Sequence, residues 1–458
     1  MADIYDSLAR IVGNTYVSSA DEERYFYARD AGLMPAHKPD YVVAPKKTQE
    51  VQEIVRMANE FKVPIIPMGG AMSLSGLVVP LKGGIVIDMK RMRKILWVNE
   101  KARHIVVEGG TPYGLLKGSL EKEYPSLTIS VPDAPPATTI AANIALHGQG
   151  HLGQQYSCNS DMVTGLEVVL PNGEVCKIGS CAMSPDWFSK GPSLPDLSGL
   201  FLGWCGATGV ITKVGLKLYP KKKIRDVILF VTDVLEAIPD IIFRLTHTEM
   251  IENLGCMHNR EEFRDNHIIA IYMTGDTGEE VGFKMKMVWD ALGDFVARKD
   301  GGFMMPFDAE KAKLTEMPMK MVTRTADELK GGGFEYVGPI MLAEKYPELI
   351  RKTDELADKC GLNYNCMARV LDRGHSLMFG MGFPFHRAEP EMMNKIIETL
   401  HEWVAIAFDL GAIPWKPNVN DQKMAMERMD PVTLKLMKMI KDNLDPNGIM
   451  NPGNWEVK

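Results

Sequence analysis

The segment 67–76, PMGGAMSLSG, gathers small side chains and hydroxyls in one short turn. Gly69, Gly70 and Gly76 permit positive φ and let the backbone approach a ligand closely. Successive N–H groups, with the hydroxyls of Ser73 and Ser75, can form a nest that holds an anion. A diphosphate is the obvious anion. The turn matches neither G-x-x-x-x-G-K-[ST] nor G-x-G-x-x-G, so neither a P-loop nor a Rossmann dinucleotide site is indicated. Two other places could do chemistry. His375, in RGHSLMFGMGFPFHR (373–387), has a side chain whose ordinary pKa suits acid–base work near neutrality. Trp415-Lys416, in IPWKPN, pairs a ring that can stack or wall a pocket with a point charge that can hold an anion. His375 and His386 are eleven apart with no carboxylate ligand pattern nearby, so no metal site is expected. The seven cysteines form no C-x-x-C pair, which argues against an internal iron–sulfur cluster or zinc ribbon. Any electrons must then arrive and leave through another molecule.

The elements that position these residues are legible in outline. TQEVQEIVRMANEF (48–61) has apolar residues at helical spacing, with Thr48 expected as its N-cap. KVPIIPMGG is a short apolar strand that runs into the turn; GGIVIDMKRM and ARHIVVEGG read as buried strands. GLEVVLPNGEVCK (165–177) carries the Asn-Gly hairpin signature, and GVITKVGLKLYP (209–220) is a further strand. Lys221, Lys222 and Lys223 mark a boundary, after which strand-like and helix-like runs alternate in an α+β pattern. VTLKLMKMIKDNL is an amphipathic helix that stops at DPNGIMNPG. The chain has 458 residues, 45% hydrophobic and 24% charged, enough for a large core. A net charge of −7 without a basic run excludes nucleic acid as an expected partner. No stretch of about 18 apolar residues occurs, and the first residues do not read as a secretory signal, so a cytoplasmic protein with no membrane span is expected. The 31 methionines read as adaptable core or interface packing.

Four further segments stand in fixed order around the turn: PDYVVAPKKTQEVQEIV (39–55), SVPDAPPATTIAANIALHGQG (130–150), YSCNSDMVTGLEVVLPNGEV (156–175) and GLFLGWCGATGVITKVGLKL (199–218). Together, and with LDPNGIMNPG (444–453), they resemble the vanillyl-alcohol oxidase / p-cresol methylhydroxylase superfamily, which also holds D-lactate and glycolate dehydrogenases. The resemblance implies an α+β fold: a two-lobed FAD-binding domain over 1–222, an α+β cap over 223–420 that meets the substrate, and a segment over 421–458 that returns to the first domain.

It also implies roles. Pro67, Met68, Gly69, Gly70, Ala71, Met72, Ser73 and Gly76 would hold the FAD diphosphate. Pro132, Thr139, Ala142, Gly148 and Gly150 would line the isoalloxazine and ribityl chain. Gly209 and Ile211 would meet the cofactor through their backbone, Tyr156 would belong to the same binding set, and Asn451 would sit near the flavin ring. Relatives with covalent flavin often carry histidine where this chain has Ala71, and the methylhydroxylase tyrosine aligns with Phe385, beside His386. Non-covalent FAD is therefore expected. The Gly-Asp-Gly-Asn metal pattern of the lactate enzymes and the tyrosines of the phenol oxidisers are both missing. The expected activity is an FAD-dependent dehydrogenase acting on an alcohol, hydroxy acid or aromatic side chain, with His375, Trp415 and Lys416 as the catalytic group. A cytochrome, electron-transferring flavoprotein or iron–sulfur protein would take the electrons. A 2-hydroxy-acid dehydrogenase and an electron-relay subunit of a complex are the alternatives, and homo-oligomerisation is open.

Overall fold

The computed structural model describes residues 4–30, 32–191, 193–263, 265–297, 302–306, 332–386 and 388–457. It is an α+β protein built on three main sheets. In the first, Tyr41–Val43, Ile85–Asp88 and Ile65–Met68 run parallel, with Val17–Ser18 antiparallel at the edge. The helix Thr48–Phe61 is the crossover that parallel pairing requires. Its buried face is Val51, Ile54, Val55 and Ala58, the stripe its periodicity predicts. Thr48 is its first residue rather than its cap: Lys47 holds the cap position, and the Thr48 hydroxyl donates to Glu167 Oε1 at 2.8 Å. That bond ties the helix to the second sheet.

The second sheet is antiparallel, in the order Ile95–Asn99, His104–Glu108, Val210–Lys217, Val163–Val169, Val175–Gly179. Val163–Val169 is buried along its whole length, as a central strand covered on both faces must be. The hairpin to Val175–Gly179 closes at Gly173, where φ of +81° needs glycine. The C-terminal chain returns to the first sheet. Ile65 N–H donates to Ile449 C=O at 2.7 Å, and Asn451 N–H donates to Ile65 C=O at 2.7 Å.

The third sheet has eight antiparallel strands between Ile224 and Trp415. Its register decides the site. Across three neighbouring strands, Gly255, Arg369 and Met378 form one row. Met257, Met367 and Gly380 form the next, and Asn259, Asn365 and Gly382 the third. Because strand side chains alternate, the intervening Cys256, Cys366, Ala368, Val370, Leu377, Phe379 and Met381 point the other way, into a core with Trp403 and Tyr346 from the covering helices. One face of the sheet is thus a packed core. The other is a flat surface of glycine, methionine and asparagine with one arginine.

Candidate functional site

A cavity of about 580 Å³ lies between that flat face and the first two sheets. On one side are Gly69–Leu74, Pro132–Pro135, Thr138, Thr139, Ala142 and Gln149. On the other are Met257, Asn259, Asn365, Met367, Arg369, Met378, Gly380 and Gly382, with Trp415 and Lys416 closing one end. A narrower cleft of about 80 Å³ shares Gly69, Val78, Thr139, Ala142 and Leu146 with it and runs on past Pro67, Met68, Gly209 and Ile211. The two form one elongated slot.

The turn 69–76 is built differently from the sequence expectation. Gly69 and Gly70 do not adopt positive φ; Ala71 does, at +52°, and Gly76 at +67°. The first two glycines serve close approach. A Cβ on Gly69 would lie 2.1 Å from Thr139 Oγ1, and one on Gly70 would lie 2.3 Å from the Ala137 carbonyl oxygen. The turn is therefore clamped onto 137–142, and its backbone faces the slot. Asp30, buried, holds it from behind: one carboxylate oxygen accepts from Gly76 N–H at 2.7 Å and the other from Gly32 N–H at 2.9 Å. No motif announced Asp30.

Among the described residues, several polar atoms on the slot wall have no hydrogen-bond partner: Thr138 Oγ1, Thr139 Oγ1, and both Nε2 and Oε1 of Gln149. Buried polar atoms left this way cost about 1–3 kcal/mol each unless a ligand satisfies them. A long slot with a glycine turn at its middle, apolar walls and unmatched hydroxyl and amide groups fits a dinucleotide such as FAD.

At the far end, Trp415 Nε1–H donates to the His147 carbonyl at 2.8 Å, which fixes the indole against Cys158, Leu371 and Met378. The Lys416 ammonium sits 4.1 Å from the centre of that ring. Lys416 makes no ion pair among the described residues. Burial lowers its pKa to about 8. Burial also pushes the neighbouring Cys158 thiol up to about 12, so this sulfur stays protonated. Arg369 is the other cation. It is 5% exposed, and among the described residues it makes no hydrogen bond and no ion pair. Burial lowers its pKa, and the charges of Asp133 and Tyr272 act against that shift.

The structure brings most of the expected residues to the slot. Pro67, Met68, Gly69, Gly70, Ala71, Met72, Ser73, Pro132, Thr139, Ala142, Gly209, Ile211, Trp415 and Lys416 line it. Others stand apart. Gly148 packs against Asn143, and Gly150 against Ser130 and Val131. Tyr156 turns away and stacks on Tyr219, ring centres 4.0 Å apart. Asn451 is buried behind the turn, where Nδ2 donates to the carbonyls of Leu77 and Cys205. His375 lies on an exposed turn, Asp372–Gly374, between two cap strands and does not line the slot. Phe385 is buried in the cap core, and His386 Nδ1 accepts from Ala388 N–H. Among the described residues, no group of three or more His, Cys, Asp or Glu side chains could hold a metal ion. None of the described helices is long and apolar enough to cross a membrane.

Arg369, Asp133, Gln149 and Asp30 escaped sequence reasoning. Arg369 left one trace, a charge inside the apolar strand pattern CMARVL.

Comparison with known proteins agrees with this geometry. The family model described as FAD binding domain matches residues 39–179, and that of FAD linked oxidases, C-terminal domain, matches 246–455. The mitochondrial D-lactate dehydrogenase [cytochrome] of Arabidopsis thaliana is 30% identical, over 94% of this chain and 76% of its own length. The 4-cresol dehydrogenase [hydroxylating] flavoprotein subunit of Pseudomonas putida is 23% identical, over 91% of this chain and 88% of its own. Among solved structures, 4-ethylphenol oxidase from Gulosibacter chungangensis superposes with a TM-score of 0.85 at 20% identity, covering 100% of this chain and 97% of that one. p-Cresol methylhydroxylase superposes at 0.83 and 20%, covering 99% and 96%. The slot, its glycine turn and these matches lead to one statement: the chain belongs to the FAD-linked oxidoreductases, a family of flavoprotein dehydrogenases and oxidases.

Proposed function

We propose that this flavoenzyme oxidises a small carboxylate-bearing alcohol, a 2-hydroxy acid, to the corresponding 2-oxo acid. One observation carries the reading. Arg369 is a buried guanidinium on the cavity wall with neither a hydrogen bond nor an ion pair among the described residues. Asp133 acts on this charge only at a distance, so the buried N–H donors of the guanidinium are left for an anion from outside. Arginine offers a planar fork that matches a carboxylate. Around it, Met367, Met378 and Gly380 leave a flat apolar surface for the remainder of a small substrate.

When bound, FAD would supply the two-electron acceptor for a hydride from the carbinol carbon. The chain supplies the rest. Arg369 fixes the carboxylate, which sets which carbon faces the flavin. The hydroxyl proton needs an acceptor, and Lys416 lines the same cavity with a pKa near 8. Its neutral amine takes that proton as the carbon–hydrogen bond breaks. Trp415 holds Lys416 in place from below. In the slot, the turn 69–74 would hold the diphosphate, and Thr138, Thr139 and Gln149 would meet the cofactor's remaining polar atoms. Ala71 has no nucleophilic atom to bond the flavin there, so the cofactor is held without a covalent link. The chain is cytoplasmic, and a cytochrome, electron-transferring flavoprotein or iron–sulfur protein removes the electrons.

The test is anaerobic. Bleaching of the bound flavin is followed with 2-hydroxy acids, with alcohols of the same size that lack the carboxylate, and with 4-alkylphenols. The reading predicts bleaching by a 2-hydroxy acid. Bleaching by phenols or neutral alcohols alone would overturn it.

A further inference from the structure

Beside the first cavity, past Val131 and His151, lies a second cavity of about 610 Å³, as large as the first and separate from it. The chain as a whole carries −7, yet six cations line this space: Lys117, Lys221, Lys222, Lys223, Arg225 and Lys284. Only two carboxylates line it with them, Glu121 and Glu252. Lys117 and Lys221 share Glu121, at 3.6 and 3.9 Å. Lys222 pairs with Asp276, Lys284 with Glu280 and Arg225 with Glu252, at 2.7, 2.8 and 2.6 Å. Lys223 has no ion-pair partner among the described residues.

Two details make this more than a charged surface. His151 presents a fixed donor. Val131 N–H donates to its Nδ1 at 3.2 Å, so the neutral ring, which lines the cavity, carries its proton on Nε2, and Nε2 has no hydrogen-bond partner among the described residues. Burial lowers its pKa to about 3, so the ring stays neutral and keeps that tautomer. Tyr156 and Tyr219 add a flat wall. They stack with planes 19° apart, and Tyr156 is 37% exposed.

We propose that this second cavity binds a multiply charged small anion carrying a flat ring, the chemistry of a nucleotide. The lysines and His151 Nε2–H hold the anionic end, and the ring continues the tyrosine stack. The site abuts the flavin cavity through Val131, which exchanges two hydrogen bonds with His151 and precedes the cavity-lining Pro132 and Asp133.

The experiment uses FAD-saturated protein, so that a nucleotide cannot enter the flavin slot. Calorimetric titration with ADP should show one site per chain, with pyrophosphate binding more weakly. Paired Lys222→Glu and Lys223→Glu substitutions should weaken ADP by about tenfold or more, since they reverse two of the six charges. Flavin content and substrate-driven bleaching should be unchanged, because neither lysine touches the first cavity. Tyr156→Ala should bring ADP down to the affinity of pyrophosphate. Absence of ADP binding to the FAD-saturated protein would overturn the proposal. So would equal affinity in the charge-reversed variant, or pyrophosphate binding as tightly as ADP.

Discussion

The two walls of the main cavity solve recognition in opposite ways. The wall from the first two sheets is made of backbone and small groups: the 69–74 turn, Pro132–Pro135, Thr138, Thr139 and Ala142. The cap wall carries the two cations, Arg369 and Lys416, on an otherwise flat surface of glycine, methionine and asparagine. Backbone recognition needs close approach, and close approach forces glycine at fixed positions. That leaves a pattern in the sequence. Side-chain recognition needs one residue at one register position, and a single arginine in a strand leaves almost none.

The predictions press on this contrast, largest effect first. On the backbone wall, Gly70→Asp should purify without FAD. Its Cβ would lie 2.3 Å from the Ala137 carbonyl oxygen, and the clamp between turn and 137–142 would have to open. A variant that keeps the flavin absorbance at wild-type stoichiometry would show that this wall tolerates side chains after all. On the same wall, acid precipitation should release all of the flavin into the supernatant; flavin that stays with the polypeptide would place a covalent link somewhere in the chain.

On the cap wall, charge should matter and backbone should not. Lys416 has its pKa lowered to about 8 by burial, so its neutral form grows as pH rises through that value. The rate of flavin reduction should therefore climb between about pH 7 and 9 and level off. In Lys416→Met the rate should fall by about a hundredfold and lose that climb, while FAD binding is kept. A wild-type-like pH profile in the variant would remove Lys416 from proton transfer. The smallest effect is on stability. Asp421, behind Lys416 in a neighbouring pocket, has its pKa raised by burial from 3.8 to about 7. The folded protein therefore binds more protons than the unfolded chain between those values, and this group weakens the fold as pH rises through that window. Asp421→Asn should leave the melting temperature unchanged near pH 4 and raise it at pH 8, by the equivalent of about 1–2 kcal/mol. The amide oxygen can still accept from Asn418 Nδ2, as Asp421 Oδ2 does at 2.8 Å.

The same contrast explains what was legible. The crossover helix 48–61, the strands around it and the glycine turn follow from periodicity and turn chemistry, and they position most of the slot. Two of the motif's glycines stand apart from the slot lining. Asn143 leaves no room for a Cβ at Gly148, nor Ser130 and Val131 at Gly150, and sequence alone does not distinguish such crowding from ligand contact. Ala71 adopts the left-handed conformation that the glycines were expected to take. His375 drew attention as a titratable side chain, yet its strand turns just before it and leaves it in solvent. Arg369 went unseen because its role depends on pairing with Gly255 and Met378. Those partners lie far apart in sequence, and only the sheet register shows that this strand turns its arginine, and not Ala368, toward the cavity.

The carboxylate anchor is the centre of the account, and one measurement addresses it directly. Anaerobic flavin reduction is timed for wild type and Arg369→Ala, each with a 2-hydroxy acid and with the neutral alcohol of the same size. Truncating one partner of a buried charge pair costs about 2–5 kcal/mol, so the wild-type preference for the acid should be at least about thirtyfold and should collapse in the variant. Both proteins should hold FAD equally. If Arg369→Ala keeps the wild-type preference for the acid, the carboxylate is held elsewhere and the account fails.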